Sequence, residues 1–130
     1  ESIKNKSTRF IFASSSSVHG HSDITIKEQY ALYSQTESPY ALQKKTCEEY
    51  ILLFSKLYGL DAVCLRYFNV IGKDQYGDSP YSTALSSWCY RIKNNIPLRK
   101  DGTGEQSRDL CPIDNIVEAN ILAASRSKNF

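Results

Sequence analysis

The sequence lacks the features by which several broad classes of protein are recognised. Its 130 residues contain no apolar run of 18 residues, so nothing in the sequence is long enough to span a membrane. Only two histidines and four cysteines are present, and no two cysteines form a C-x-x-C pair, so we expect no metal site. The net charge is +2 with both signs interspersed, which provides no basic cluster for nucleic acid. These absences argue against a membrane protein, a metalloprotein and a nucleic-acid-binding protein.

We also expect no signal peptide at the start of the sequence. Residues 1–8 are polar apart from Ile3, unlike the apolar segment of a signal peptide. The first residue is glutamate rather than methionine, and we expect the chain to be a fragment of a longer protein. The cysteines lie far apart, and we interpret them as reduced, buried thiols of a cytoplasmic protein. They are Cys47, Cys64, Cys89 and Cys111.

Glycine is absent where a dinucleotide-binding fold would need it. Such a fold opens with a strand and a Gly-rich turn, because only glycine lets the backbone approach the pyrophosphate. The six glycines form no such turn after an N-terminal strand, and Gly102-Thr-Gly104 is too late and too short. The chain therefore has no cradle of this kind for a dinucleotide pyrophosphate.

A strand, a helix and a second strand are predicted in the first half of the chain. Residues 9–13 form a short apolar run that ends in four serines, as in a buried strand followed by a polar loop. Ser38 and Pro39 suit the N-cap and first turn of a helix, whose amphipathic pattern continues to a stop at Gly59. Residues 61–66 predict the second strand. This order indicates a βαβ unit and hence a parallel sheet.

The remaining segments are shorter and more polar. We predict a loop over 14–38 with one short turn near 27–30, a loop over 73–80, a helix over 81–92, a short strand over 97–99, a turn over 101–104, an extended segment over 110–113, and a final helix capped by Asp114. Pro112 argues against a central strand position for the extended segment. The apolar stripe of the first helix, from Cys47 to Tyr58, is either core or a surface for a partner.

Tyr40 and Lys44 are the residues with the clearest chemical potential. They are four residues apart near the start of the predicted helix and so share one face. A phenol, with an ordinary pKa of about 10, becomes a useful base near neutral pH when a lysine ammonium beside it favours the phenolate. Such a pair can form a general acid/base unit, although most pairs at this spacing are only a helix face.

The predicted topology places other polar residues near this pair. Catalytic groups in open α/β sheets collect at the carboxyl ends of the strands. The serines of residues 14–17 follow the first predicted strand, and the segment after Arg66 follows the second. We therefore expect three separate pieces of sequence to meet at one edge of the sheet.

Four motifs together resemble those of extended short-chain dehydrogenases/reductases of the nucleotide-sugar epimerase family. Phe10-Ile-Phe-Ala-Ser-Ser-Ser-Ser-Val-His-Gly20 resembles the segment with the active-site serine, and Tyr40 with Lys44 resembles the family's Tyr-x-x-x-Lys. Leu65-Arg-Tyr-Phe-Asn-Val-Ile-Gly72 and Gly102-Thr-Gly-Glu-Gln-Ser-Arg-Asp109 match two later motifs in order and spacing. The resemblance covers about residues 9–124 and is nearest to the UDP-glucose and UDP-N-acetylglucosamine 4-epimerases.

This resemblance implies an α/β fold with the later strands of a partial Rossmann-like parallel sheet and part of a small substrate-binding region. Residues 1–72 would be the C-terminal part of the NAD-binding domain and carry the catalytic residues. Residues 73–130 would be part of the nucleotide-sugar-binding region, with a helix returning to the core. The half of the family fold that holds the pyrophosphate would be missing, so we expect the isolated chain to be inactive. Members of this family are often dimers, and the resemblance therefore implies that the parent enzyme is a homodimer.

The resemblance also implies roles for individual residues in NAD-dependent 4-epimerisation of a UDP-sugar through a 4-keto intermediate. Tyr40 would take the proton of the sugar 4-hydroxyl, Lys44 would hold the nicotinamide ribose, and Ser15 would hydrogen-bond the 4-oxygen. The implied cofactor-binding residues are Ser14, Tyr40, Lys44, Tyr67 and Phe68. The implied substrate-binding residues are Ser15, Ser16, Asn69, Thr83, Ala84, Leu85 and Arg108, of which Asn69 and Arg108 would face the diphosphate.

Several alternatives stay open within this resemblance. Related 4,6-dehydratases carry Asp-Glu at Ser16-Ser17, and related decarboxylases carry glutamate at Ser17, so both reactions are disfavoured. A reductase, a uronate epimerase or a non-catalytic relic without the Gly-rich loop remain as alternative functions. The sugar also stays open, because Thr83 is small enough to permit glucose or N-acetylglucosamine.

His19 and Cys111-Pro112 depart from the family pattern. We favour an exposed loop histidine without a role for His19.

Overall fold

The computed structural model of the protein describes residues 9–20 and 35–125. These residues divide between two compact units, one formed by the chain up to Tyr67 together with the chain from Val117, and the other by residues 68–116. The expected domain division at residues 72 and 73 stays a prediction. The turn predicted near residues 27–30 lies outside the described part of the chain.

The first unit contains the predicted βαβ arrangement. Strand β1 spans Phe10–Ser15, helix α1 spans Pro39–Tyr58 and strand β2 spans Ala62–Tyr67. The two strands pair in parallel from Phe10↔Ala62 to Ser15↔Tyr67, which confirms the parallel sheet. β1 extends two residues beyond the predicted strand because the first two serines continue the pairing.

Helix α1 begins and ends where its sequence indicates. The Ser38 side chain accepts a hydrogen bond from the Ala41 N–H (3.1 Å), and Pro39 occupies the first turn. Gly59 adopts a left-handed conformation (φ 64°) and donates its N–H to the Ser55 carbonyl (3.1 Å). Ala41 is buried, whereas several large apolar side chains further along, including Leu57, are exposed. The stripe that we considered as core or partner surface is therefore largely exposed in this structure.

A short 3₁₀ helix, Ser16–His19, follows β1 where we predicted only loop. Ser15 caps it by accepting the Ser17 N–H (3.2 Å), and Gly20 ends it at φ 66°. This turn folds Val18 and His19 inward, and His19 is only 6% exposed. The expectation of an exposed loop histidine at position 19 is therefore wrong, because the capped turn was not recognised in the serine run.

Helix α3, Ile113–Ser125, belongs to the first unit from Val117 onward. The Ala123 carbonyl accepts a hydrogen bond from Arg9 (2.9 Å), whose Nε also donates to Asp61 (3.1 Å). The helix starts one residue before Asp114, which lies within the first turn. The prediction of Asp114 as the N-cap is thus wrong, although a carboxylate in the first turn still complements the helix dipole.

The second unit contains a small parallel pair, one complete helix and the first turn of α3. Strand β3, Val70–Ile71, pairs with strand β4, Cys111–Pro112, and Cys111 donates its N–H to the Asn69 carbonyl (3.3 Å). The extended segment near Pro112 was predicted, whereas β3 was not. Two paired residues are too few to produce a periodic pattern in sequence.

Helix α2 spans Ala84–Lys93, three residues shorter at its start than predicted. Thr83 caps it through the Ser86 N–H (3.3 Å), while the Tyr81 N–H is held by the Ser79 hydroxyl (3.2 Å) in the preceding turn. These local side-chain bonds compete with helix formation.

The short strand predicted over residues 97–99 is wrong. The Pro97 carbonyl accepts from Arg91 (2.8 Å), and the Arg99 carbonyl accepts from the Trp88 indole (2.9 Å). Side chains of α2 thus satisfy carbonyl groups that a strand partner would otherwise bind.

Candidate active site

Lys44 and Tyr40 lie together at the carboxyl end of β1. The Lys44 ammonium donates a hydrogen bond to the Ala13 carbonyl (2.8 Å) and lies 5.0 Å from the centre of the Phe12 ring and 5.7 Å from that of Tyr40. Tyr40 is 52% exposed, so its ring is open to solutes. The helix face predicted from the spacing therefore places a cation next to an accessible phenol.

Ser15 ends β1 with its hydroxyl oriented by the capped turn. Its oxygen accepts hydrogen bonds from both the Ser17 N–H (3.2 Å) and the Ser17 hydroxyl (3.0 Å). A serine oxygen has two lone pairs and one proton. Because both lone pairs are used within the turn, the Ser15 proton is the part of the group that can still bind a solute oxygen. Ser16, in the same turn, is half-buried.

A carboxylate that the sequence reasoning missed connects the two strands to α1. The Glu48 carboxylate accepts from Arg66 Nε (3.0 and 3.2 Å) and Nη2 (2.7 Å), and it also accepts a short hydrogen bond from the Ser14 hydroxyl. Ser14 is buried, and its hydroxyl proton is used in this contact. The signal available in the sequence was the position of Glu48, one turn after Lys44 on the same helix face.

The environment of Glu48 keeps its carboxylate ionised. Burial alone would raise its pKa, but the hydrogen bonds from Arg66 and Ser14, with the charges of Arg66 and His19, more than offset burial and place the pKa below its ordinary value. Arg66 and Glu48 are 18% and 13% exposed, so this ion pair is largely shielded from water. It differs in this respect from a surface ion pair.

The cysteines fit the expectation of buried thiols only in part. Burial, followed by the Glu48 charge, raises the pKa of Cys64 to about 11, so this thiol stays protonated at neutral pH. Cys111 is also half-buried, but Cys47 and Cys89 are exposed, which corrects the prediction for those two. All four are free thiols.

Tyr67 is the last residue of β2, and Phe68 follows it. The Tyr67 hydroxyl donates to the Asn120 side-chain oxygen (3.0 Å) and lies 2.8 Å from the Asn120 nitrogen, so its polar end is held by α3 within the first unit. Phe68 is the first residue of the second unit and is half-buried.

The second unit has an open cleft of about 960 Å³ between α2 and the loops around it. Its lining is rich in positive groups, which are Arg91, Arg99, Lys100 and Arg108. Trp88 also lines it, and Asp78 and Asp101 are the acidic members. Arg99 and Asp101 pair at the surface (2.7 Å), which neutralises one of the cations. A cleft with an excess of cations beside an aromatic ring suits an anionic ligand that also carries a flat ring.

Two of the predicted substrate-binding residues of this unit, Ala84 and Arg108, line the cleft. Thr83 is occupied as the cap of α2, and Leu85 is 41% exposed on that helix. Asn69 donates its side-chain N–H to the Asp109 carbonyl (2.9 Å), which ties the start of β3 to the residues before β4. The guanidinium of Arg108 is exposed and donates to the neighbouring Ser107 carbonyl (2.8 Å).

Within residues 9–20 and 35–125, no helix is both long and apolar enough to cross a membrane. The same residues contain no group of three or more histidine, cysteine, aspartate or glutamate side chains placed to hold a metal ion.

Comparison with known proteins identifies the family of this arrangement. The chain is 32% identical over 117 residues to a putative UDP-glucose 4-epimerase of Methanocaldococcus jannaschii, covering 88% of this chain and 37% of that protein. Its structure matches the UDP-N-acetylglucosamine 4-epimerase of Methanobrevibacter ruminantium M1 in complex with UDP-N-acetylmuramic acid at 40% identity, with a TM-score of 0.89, over 98% of this chain and 41% of the other.

A third match includes the cofactor. The UDP-glucuronic acid 4-epimerase of Bacillus cereus in complex with UDP-glucuronic acid and NAD is 30% identical, with a TM-score of 0.82, over 93% of this chain and 37% of the other. The chain thus spans roughly two fifths of the length of these proteins.

The matches confirm the resemblance seen in the four motifs and the predicted Rossmann-like α/β class. A family model described as the NAD dependent epimerase/dehydratase family matches residues 1–130. The chain belongs to the NAD dependent epimerase/dehydratase family.

Proposed function

We propose that this chain carries the proton-transfer residues of an NAD-dependent 4-epimerase of the extended short-chain dehydrogenase/reductase type, which acts on UDP-glucose or UDP-N-acetylglucosamine. The observation that carries the proposal is the contact of Lys44 with the end of β1 and the ring of Tyr40, with Ser15 two residues beyond the bonded Ala13. These are the three residue types and positions that the four motifs implied. The relatives named above support the reaction class and the UDP-sugar substrate.

The residues present fit the nicotinamide end of NAD. The Lys44 ammonium donates to a neutral carbonyl oxygen, and two further protons of this group are suited to ribose hydroxyls. When bound, NAD would take the hydrogen of the sugar C4 with its electron pair and return it on the opposite face. Ser14, Tyr67 and Phe68 would border the cofactor at the ends of β1 and β2.

The chemical roles follow from the groups that each side chain presents. Tyr40 would accept the proton of the sugar 4-hydroxyl as the 4-keto sugar forms, and would return it when the sugar is reduced. The Ser15 proton is available for the sugar 4-oxygen because the serine lone pairs are bound by Ser17. A hydrogen bond to that oxygen holds the sugar in place at both stages.

The second unit is proposed to hold the nucleotide. Arg108, in the cationic cleft, would bind the diphosphate with Asn69, and Thr83, Ala84 and Leu85 would border the uridine or the phosphates. Ser16 would assist Ser15 in binding the sugar.

We also propose that the parent enzyme is a cytoplasmic homodimer and acts in polysaccharide biosynthesis. The four free thiols support a reducing compartment.

Replacement of Tyr40 by phenylalanine tests the function. In the protein as its gene encodes it, Tyr40→Phe removes the proton acceptor without changing the ring, and we expect kcat to fall about 10²–10⁴-fold. Tyr50→Phe, at an exposed tyrosine of the same helix, is the matched control and keeps its turnover. Interconversion is measured with UDP-glucose, UDP-N-acetylglucosamine and UDP-glucuronate.

The substrate panel separates the alternatives. Turnover of UDP-glucuronate alone would replace the proposed substrate with a uronate, and net reduction of a 4-keto sugar would indicate a reductase. A protein that binds neither NAD nor a UDP-sugar would be a non-catalytic relative. Turnover of Tyr40→Phe close to that of the unmodified protein would refute the assignment of the base.

A further inference from the structure

We propose that Glu48 is a positioning residue, which fixes α1 against the ends of β1 and β2 and thereby holds Lys44 beside Ser15. This inference rests on the proposed function, because the value of the positioning lies in the reaction of those residues. Glu48 itself would touch neither substrate nor cofactor. Its carboxylate acts through the elements that it joins.

Glu48 binds the register pair next to the last one at the carboxyl ends of β1 and β2. Ser14 and Arg66 are partners in the parallel register, and both donate hydrogen bonds to the same carboxylate. The next register pair is Ser15↔Tyr67. We call the contact of Glu48 with Ser14 and Arg66 the Glu48 clamp. A strand rises about 3.3 Å per residue, so this clamp lies only one residue away from the predicted catalytic serine, Ser15.

The helix is attached to β1 at two successive turns. Lys44 donates to the Ala13 carbonyl, and Glu48 accepts from the hydroxyl of the next residue, Ser14. These helix residues are four apart, on one face and about 6 Å apart along the axis. Two attachments at different heights hold both the rotation of α1 and its position along β1 more firmly than one attachment would.

Lysine alone could not provide this constraint. Its ammonium ends a flexible four-carbon stem and directs its hydrogen bonds weakly, whereas a guanidinium bound through two nitrogens fixes the plane of a carboxylate. Arg66 binds Glu48 in this two-point manner through Nε and Nη2. With that plane fixed, the carboxylate oxygen nearest Ser14 has a defined direction, and the orientation of the helix follows from it.

Glu48→Gln is the direct test. It keeps the size of the side chain but replaces one acceptor oxygen by an N–H₂ group that cannot accept from Arg66 or Ser14. In the encoded protein with NAD and UDP-sugar, at a temperature where both proteins stay folded, we expect kcat to fall roughly tenfold or more, as small misplacements of catalytic groups produce. We expect KM for the UDP-sugar to change less than about threefold, because we propose that other residues, in the second unit, bind the nucleotide.

The matched control is Glu49→Gln, which makes the same chemical change at the next, exposed position of α1. We expect its kcat to equal that of the unmodified protein. A second variant, Ser14→Ala, removes the hydrogen bond from Ser14 to Glu48 and leaves the Arg66–Glu48 pair in place. We expect a smaller loss of kcat, and combining it with Glu48→Gln should add little, because both changes break the same attachment.

Hydrogen exchange without substrate gives a readout that does not depend on turnover. Amides at the end of β1 and in the first three turns of α1 should exchange faster in Glu48→Gln than in Glu49→Gln, while amides of α2 should be unchanged. A fall in thermal stability with unchanged kcat and unchanged KM would show a structural role only and would overturn the proposal. Equal exchange in the two variants would do the same.

These readouts separate failure of this inference from failure of the proposed function. If the unmodified protein converts none of the UDP-sugars, the function is wrong, and the exchange pattern alone decides whether Glu48 fixes the helix. If the unmodified protein is active and Glu48→Gln retains its full kcat, the function stands and the positioning role is refuted.

Discussion

Loss of the Glu48 charge should destabilise the protein in a way that depends on pH. Glu48→Gln leaves Arg66 charged in a site where the two side chains are only 18% and 13% exposed. Removal of one partner of a buried ion pair typically costs about 3–5 kcal/mol. Because some water reaches this pair and glutamine keeps one carbonyl acceptor, we expect a loss of about 3 kcal/mol at pH 7, at the lower end of that range.

The pH dependence follows from the direction of the Glu48 pKa shift. In the folded protein this pKa lies below its ordinary value of 4.5, because the bonds and charges around it outweigh burial. The folded state therefore holds its proton less tightly than the unfolded state does. The stabilisation is complete above the unfolded pKa and is lost as pH falls through the folded pKa. The difference between the two proteins should thus be present at pH 7 and shrink below about pH 4.5.

Urea unfolding followed by circular dichroism measures this difference at a series of pH values. Glu49→Gln, at an exposed position, should change the unfolding free energy by less than about 0.5 kcal/mol across the same range. A Glu48→Gln effect that is as large at pH 3.5 as at pH 7 would refute the electrostatic reasoning, because it would come from packing and not from the carboxylate charge.

Two further predictions concern the turn around Ser15 and the wall of the cleft. Ser17→Ala removes the hydrogen bond from the Ser17 hydroxyl to Ser15 (3.0 Å) but keeps the backbone cap. Because one hydrogen bond contributes about 1 kcal/mol, kcat for the UDP-sugar should fall a few-fold. An unchanged kcat would contradict the proposed orientation of Ser15. A Cβ at Gly77 would lie 2.3 Å from the Ser86 carbonyl oxygen and 2.6 Å from the Tyr90 Cβ. Gly77→Ala should therefore lower the free energy of unfolding by about 1–3 kcal/mol, measured by thermal or urea unfolding. An unfolding midpoint equal to that of the unmodified protein would contradict this expectation and show that the loop can move away from α2.

The elements that the sequence predicted well are those with strong local signals. The capped helix α1 has Ser38 and Pro39 at one end and Gly59 at the other, and its bounds agree with the structure. The parallel pairing of β1 with β2 follows from the order of the elements. The start of α2 was missed because Thr83 and the preceding turn satisfy backbone groups locally, which residue periodicity does not report.

The candidate site was predictable in its types of residue but not in its connections. Motif spacing places Tyr40 and Lys44 on one helix face, and the structure adds the Ala13 carbonyl as a partner of the lysine. The link from Glu48 to Arg66 joins residues 18 positions apart through side chains, and the one to Ser14 spans 34 positions. Such contacts depend on how the helix crosses the sheet, which a single sequence does not specify.

The contact between Lys44 and Ala13 bears on how this lysine could serve two partners. An ammonium has three protons, so the bond to the carbonyl (2.8 Å) leaves two for the ribose hydroxyls that we propose it binds. The lysine would then not have to leave the strand when the cofactor binds. Its position, and with it the charge beside Tyr40, would be set before binding by the strand and by the Glu48 clamp. Such a charge requires little rearrangement during the reaction, which is the condition under which electrostatic stabilisation is most effective.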